Sequence, residues 1–263
     1  MRFDDIILEK RDGTARITLN RPKVLNAFTT KTLTEIEAAI EDIRKDDAVR
    51  VVVITGAGRA FCTGNDLSTG KEFIENPQAR NEFYRILQES LCAIENLGKP
   101  VIAMVNGFCL AGGFELLLTC DLAIAAEDAQ IGDQHANFGL IPGAGATYKL
   151  PRLVGMRRAK EFFMTGNWVN GKEAEIIGLV NKAVPADKLE ETVNELAAKL
   201  AAERSPLATR LMKNLVNQGI QIKLSAGLDL ELVEAVHHYT TSEDFKEGLG
   251  AFTEKRKPTF KGR

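Results

Sequence analysis

Residues 100–126 read PVIAMVNGFCLAGGFELLLTCDLAIAA, and this stretch decides the fold. Its first apolar run, Pro100–Val105, predicts a strand covered on both faces, because no polar residue interrupts it. A glycine-containing loop follows, and Ala111-Gly112-Gly113 opens a predicted helix over Phe114–Thr119. Another apolar strand is predicted at Asp121–Ala126. The stretch therefore predicts a buried strand, a glycine loop, a short helix and a further strand in direct succession.

The same order of elements occurs once before in the chain. The apolar run Val51–Ile54 is closed by Thr55-Gly56, and a polar loop over 56–70 leads into a helical segment that ends near Leu97. Gly64-Asn65 holds the place in this unit that Ala111-Gly112 holds in the later one. Repeated units of strand and helix predict an α/β fold with a largely parallel core.

The two ends of the chain follow other patterns. Residues 3–9 and 14–20 predict a hairpin around Arg11-Asp12-Gly13, and Asn26–Arg44 has helical periodicity. Beyond Pro142 the pattern is almost wholly helical. The predicted helices lie near 156–165, 171–177, 186–203, 205–219, 222–238 and 241–253.

Composition narrows the classes of function. The 263 residues are 44% hydrophobic and 27% charged, with a net charge of −2, so no broad electrostatic attraction to nucleic acid or to an anionic membrane is expected. The four cysteines are scattered without a CxxC pair, which argues against a metal site or a disulfide framework. The N-terminal residues lack a long apolar core, so neither a secretory signal nor a membrane span is expected. We expect a cytoplasmic protein.

Gly112 and Glu115 are the first candidates for chemistry. The first amides of a helix have no acceptor within the helix, and they suit an oxygen that develops negative charge. The earlier glycine loop can supply a second amide at Asn65, and Glu115 can move a proton beside the oxygen. The residues alone also allow a purely structural interpretation. In it the glycines permit close packing, and Glu115 interacts with the positive end of the helix dipole, which stabilises the helix by about 0.3–1 kcal/mol.

Six motifs along the chain resemble those of the crotonase (enoyl-CoA hydratase/isomerase) family, in the same order and spacing. They cover essentially the whole sequence. The six are Asn20–Ala27 (NRPKVLNA), Ala60–Leu67 (AFCTGNDL), Pro100–Gly107 (PVIAMVNG), Ala111–Leu116 (AGGFEL), Gly139–Gly145 (GLIPGAG) and Ala251–Arg256 (AFTEKR).

The resemblance implies a spiral of ββα units over residues 1–200, followed by C-terminal helices over 201–263 that assemble trimers or pairs of trimers. It implies that Asn65 and Gly112 donate the two amides of an oxyanion hole and that Glu115 is the catalytic acid or base. It also implies a coenzyme A (CoA) thioester as substrate, with no further cofactor or metal. The implied CoA-binding residues are Lys23, Val24, Leu25, Cys62, Gly64, Asn65, Asp66, Leu67, Ser68 and Gly112.

One departure from the family pattern concerns the second catalytic glutamate of the hydratases. That residue is expected twenty positions after Glu115, where this chain has His135. Histidine exchanges protons near neutral pH, its unperturbed pKa being about 6.5, so we expect His135 to orient water or relay the proton. Asp133 is placed to orient His135. The aspartate that some isomerases of the family carry after the proline is Gly143 here.

The preferred function is therefore reversible addition of water to an α,β-unsaturated acyl-CoA. A double-bond isomerase using Glu115 alone is the first alternative, and a thioester hydrolase is a weaker one. The alternative from another functional class is that the chain is a non-catalytic or RNA-binding member of the family. Only the basic tail near 255–261 favours that alternative. The residues do not specify the acyl chain, although loop 68–82, with Phe73, and the helix that follows, with Phe83, are expected to shape its pocket.

Overall fold

The computed structural model describes residues 2–263, apart from the side chains of residues 69–72. Strands and helices alternate through the first two thirds of the chain. The strands are β1 (Ile6–Arg11), β2 (Thr14–Leu19), β3 (Val51–Gly56), β4 (Ala60–Cys62), β5 (Val101–Val105), β6 (Phe108–Leu110), β7 (Leu122–Ala126), β8 (Gln130–Gly132), β9 (Trp168–Asn170) and β10 (Lys182–Val184). The helices are α1 (Thr30–Lys45), α2 (Gly70–Glu75), α3 (Pro77–Glu95), α4 (Gly112–Leu117), α5 (Ala146–Val154), α6 (Met156–Thr165), α7 (Gly171–Ile176), α8 (Ala186–Glu203), α9 (Pro206–Gly219), α10 (Leu224–Thr241) and α11 (Glu243–Thr253).

The larger sheet has six strands in the order β1-β2-β3-β5-β7-β10. Only β1 and β2 are antiparallel, and they form the predicted hairpin with Arg11 opposite Thr14. The turn residues Asp12 and Gly13 have φ of 51° and 78°, the left-handed pair that matches the twist of a tight hairpin. The remaining neighbours pair in parallel, which confirms the parallel-rich α/β core predicted from the repeated units.

A smaller sheet lies beside it, with the order β4-β6-β8-β9. Strands β4, β6 and β8 are parallel neighbours, so their carboxyl ends meet along one edge. Strand β9 pairs with β8 in the antiparallel direction. The prediction of an almost wholly helical chain beyond Pro142 is incomplete, because β9 and β10 also lie there.

Helix α1 shows how the sequence builds the core. Thr29 caps it, its side chain accepting from the Thr32 amide while Thr32 bonds back to the Thr29 amide. One stripe of the helix is fully buried, which stabilises the fold by about 1.5–3 kcal/mol for each large apolar side chain. The buried apolar residues of this stripe are Leu33, Ile36, Ala39, Ile40 and Ile43.

The C-terminal helices are packed differently from the rest. Helices α9 and α10 contain no buried residue within the described part of the chain. Their exposed apolar residues include Val216, Leu228, Leu232 and Val236. The division into a core over 1–200 and an assembly region over 201–263 stays a prediction. No helix among the described residues combines the length and the apolar character needed to cross a bilayer.

Candidate active site

The candidate site lies where the three parallel strands of the smaller sheet end. Asn65 follows β4, Gly112 follows β6, and Asp133 with His135 follows β8. Because β4, β6 and β8 are parallel neighbours, three loops that are far apart in sequence converge at one edge. Carboxyl ends of parallel strands are where ligands bind in open α/β sheets.

The loops that carry Asn65 and Gly112 are in direct contact. A Cβ on Gly64 would lie 2.6 Å from the Gly112 nitrogen, a distance that no side chain tolerates. Phe28 holds the first loop from the other side: its amide donates to the Gly64 carbonyl at 2.7 Å, and its carbonyl accepts from the Asp66 amide at 2.9 Å. Asn65 is therefore fixed between two backbone hydrogen bonds, next to the start of α4.

The backbone conformation of Ala111 sets the path of the second loop. This non-glycine residue has φ of 48° and ψ of −118°, a conformation that costs about 1–3 kcal/mol and persists only where its surroundings impose it. It places Gly112 at the first position of α4, and its carbonyl accepts from the Glu115 amide at 3.0 Å. Among the described residues, neither the Asn65 amide nor the Gly112 amide has an acceptor. Two adjacent free donors can together hold an anionic oxygen.

Glu115 lies one helical turn beyond Gly112 and is only 1% exposed. Its Oε1 accepts from the Ala144 amide at 2.6 Å, which ties α4 to the segment before α5. Burial raises the pKa of the Glu115 carboxyl above its ordinary value, while the Ala144 amide and the protonated form of His135 act in the opposite direction. A raised pKa suits a carboxyl that must give and take protons during a reaction.

His135 begins a short 3₁₀ turn, His135–Phe138, directly after β8. It is 5% exposed, and Asp133 is completely buried. Asp133 accepts two hydrogen bonds from His135: one from Nδ1 of the ring at 2.8 Å and one from the backbone amide at 3.1 Å. Both His135 and Asp133 act electrostatically on Glu115, so the structure brings the three groups into one site.

The proposed CoA residues form two touching segments. Lys23 and Val24 lie in an exposed 3₁₀ turn that ends at Leu25, whose carbonyl accepts from the Thr63 amide at 3.2 Å. Leu67 and Ser68 are exposed on the other segment.

Three further candidates on this second segment are less open. Asp66 accepts from Ser68 and pairs with Arg21 at 3.0 Å. Cys62 and Gly64 are buried. Burial raises the pKa of the Cys62 thiol to about 12, so Cys62 contributes backbone and packing rather than a reactive sulfur.

Sequence reasoning missed two features of the site. The Ala144 amide donates to Glu115, whereas the sequence marks the segment around Ala144 only as a family motif. Tyr84 packs where a side chain on Gly143 would point, 3.1 Å from that Cβ position. Its ring also meets Phe83 at 5.7 Å, which joins the predicted acyl-pocket residues on α3 to the loop beside Glu115. No local signal in the sequence marks Tyr84.

Comparison with known proteins identifies the family of the chain. The model of the family described as "Enoyl-CoA hydratase/isomerase" matches residues 9–263. This chain belongs to that family. It is 40% identical over 263 residues to a crotonyl-CoA hydratase of Syntrophomonas wolfei, covering 99% of each chain. It is also 40% identical to a short-chain-enoyl-CoA hydratase of Clostridium acetobutylicum, covering 98% of this chain and 97% of the relative.

The fold of this enoyl-CoA hydratase/isomerase family member is shared with solved relatives. The crystal structure of an enoyl-CoA hydratase from Bacillus anthracis superposes with a TM-score of 0.93 at 39% identity, covering 99% of this chain and 100% of the other. The prediction of a crotonase-like α/β fold with C-terminal helices is confirmed. The family assignment also confirms that the chain is an enzyme of CoA thioesters.

Proposed function

We propose that this enzyme adds water reversibly to the double bond of a short-chain α,β-unsaturated acyl-CoA. The observation that carries the proposal is a pair of amides, Asn65 and Gly112, that lack an acceptor among the described residues. They lie next to a buried Glu115 and a His135 held by Asp133. The names of the Syntrophomonas and Clostridium relatives support a hydratase for short chains.

The chemistry follows from this arrangement. When a water oxygen bonds to Cβ, the electrons of the double bond move through Cα to the thioester oxygen, which becomes an enolate. The Asn65 and Gly112 amides stabilise that oxygen more strongly than the neutral carbonyl, which lowers the barrier. The water loses a proton to one of the pair Glu115 and His135, and Cα takes a proton from the other. The pair holds the same number of protons before and after the reaction.

The remaining expectations belong to the same proposal. The segments around Lys23–Leu25 and Cys62–Ser68 hold the CoA moiety, with the CoA of the substrate as the only cofactor and without a metal. We also propose that the apolar residues of α9 and α10 pack against further copies of the chain in a trimer or a pair of trimers. We propose a cytoplasmic location with no nucleic-acid or membrane partner, in keeping with the net charge of −2 and the scattered cysteines.

Product analysis tests the proposal. Purified enzyme is incubated with a panel of enoyl-CoA thioesters of increasing chain length. The products are then separated, and their masses are measured by mass spectrometry. We expect the mass of one water to be added, with the highest kcat/KM for short linear chains. A product of unchanged mass would indicate the isomerase instead, and release of free CoA would indicate the hydrolase. Chelator is included in a parallel series, and loss of turnover there would contradict the absence of a metal.

A further inference from the structure

Asp133 holds His135 but exchanges no proton in the proposed reaction. It is 0% exposed, although a buried carboxylate is costly unless its oxygens are hydrogen-bonded. Among the described residues, both of its hydrogen-bond donors belong to His135: ring Nδ1 donates to Oδ2 at 2.8 Å, and the backbone amide donates to Oδ1 at 3.1 Å. Both hydrogen bonds that Asp133 makes within the described part of the chain therefore hold His135.

The backbone amide fixes the direction of these bonds. An amide can only donate, so Asp133 Oδ1 is an acceptor in any state. The carboxylate Oδ2 is an acceptor as well, so the neutral imidazole must carry its proton on Nδ1. Nε2 then keeps a lone pair, and among the described residues it has no hydrogen-bond partner. Nε2 is therefore the ring nitrogen free to meet a water.

We propose that Asp133 is a positioning residue that locks His135 in the Nδ1–H tautomer, so that Nε2 takes the proton from the attacking water and Glu115 delivers the proton to Cα. The assignment rests on the proposed hydration reaction. The O–H bond of the water breaks as the Cβ–O bond forms, the proton goes to Nε2, and the Glu115 proton goes to the enolate carbon. Burial of Glu115, which raises the pKa of its carboxyl, favours the protonated form that this step needs.

The substitution Asp133→Asn separates positioning from mere packing. Asparagine has the same shape but offers one oxygen and one NH₂ group. If its oxygen keeps the backbone amide of His135, its NH₂ group faces Nδ1, which must then become an acceptor. The ring proton moves to Nε2, and the nitrogen that faced the water can no longer accept a proton. Asp128→Asn is the matched control, because Asp128 is an exposed acid in the turn before β8.

The first readout is spectroscopic and does not depend on activity. The chain has three histidines, so protein labelled with ¹⁵N only in its histidine rings gives a spectrum that His135→Gln assigns. At alkaline pH, where an imidazole is neutral, we expect the His135 signal of the wild type and of Asp128→Asn to show a protonated Nδ1. In Asp133→Asn we expect a protonated Nε2. An unchanged tautomer in folded Asp133→Asn overturns the proposal.

The second readout is kinetic. We expect Asp133→Asn to lower kcat for hydration by about 10²-fold or more while KM stays within about threefold, the pattern of a lost proton acceptor. Equal kcat in Asp133→Asn and Asp128→Asn also overturns the proposal. If Asp133→Asn fails to fold, Asp133→Glu replaces it: a kcat equal to that of the wild type, with the carboxylate displaced by one methylene, contradicts positioning. Absence of hydration by the wild type refutes the proposed function, whereas the tautomer measurement still decides the role of Asp133.

Discussion

The contact between Gly64 and Gly112 gives the sharpest test of the oxyanion hole. In Gly64→Ala the new Cβ lies 2.6 Å from the Gly112 nitrogen, whereas ordinary contact begins at 3.4 Å, so the two loops must separate by about 0.8 Å. A misplacement of about 1 Å in a catalytic constellation costs about 10²-fold in rate. We therefore expect kcat to fall by about 10²-fold, with a smaller change in KM, because both amide donors move while most CoA contacts persist.

The effect of backbone strain at residue 64 must be distinguished from the effect of the loop displacement. Gly64 has φ of +89°, and an alanine there costs about 1–2 kcal/mol of stability. Gly178→Ala is the matched control, because Gly178 has φ of +76° but its nearest atom lies 4.0 Å from the Cβ position. Initial rates are measured by the loss of enoyl-thioester absorbance of crotonyl-CoA, and Tm by calorimetry. We expect both variants to lose a few degrees of Tm and only Gly64→Ala to lose turnover. Comparable kcat values in the two variants would refute the reasoning.

Four further predictions follow from the site and from the C-terminal helices. Glu115→Gln should lower kcat by about 10²–10⁴-fold while acyl-CoA binding persists in calorimetric titration, and near-normal turnover would assign the chemistry to another residue. Since folding raises the pKa of Glu115, its stabilising contribution is present below the unfolded-state pKa and lost as pH rises through the folded-state pKa. The Tm of Glu115→Gln should therefore exceed that of the wild type increasingly as pH rises across that window, and a constant difference would contradict this. His135→Ala should cut hydration by about 10²-fold, whereas an isomerase would keep most of its activity. It should also lower Tm, because it removes the ring partner of buried Asp133, so the rates are compared at a temperature where the variant is folded. Sedimentation at micromolar concentration should show trimers or hexamers, because α10 exposes Leu228 and Leu232, and a monomer alone would exclude this assembly.

The parts of this fold that sequence reasoning found are those whose signal is local. The apolar runs at Val51–Ile54 and Pro100–Val105 are long enough to indicate buried strands, and both are completely buried. The three-residue strands β9 and β10 are too short for any periodicity, and pairing with distant strands defines them. Helix α5 carries Pro151 in its interior, which hides it from a search for helical pattern.

The site residues also differ in how far a local sequence signal identifies them. Gly112 and Glu115 share one helix, so their spacing alone places them together. Asn65 comes from a different loop, and the matching position in a repeated unit is what linked it to Gly112. The Ala144 amide, the Tyr84 ring and the positive φ of Ala111 arise from tertiary packing, which no spacing in one sequence encodes. His135 stood out because it departs from the family pattern, whereas the two hydrogen bonds from His135 to buried Asp133 required the fold.

Isotope tracing of the product tests the central claim most directly. Crotonyl-CoA is incubated with the enzyme in water enriched in ¹⁸O and, separately, in deuterium oxide, and the product is fragmented in a mass spectrometer. If Asn65 and Gly112 hold an enolate while water attacks Cβ, the product is a 3-hydroxyacyl-CoA that carries ¹⁸O at Cβ and one solvent deuterium at Cα. Recovery of crotonyl-CoA without either label, or of a free acid that carries ¹⁸O in its carboxyl group, would contradict the account.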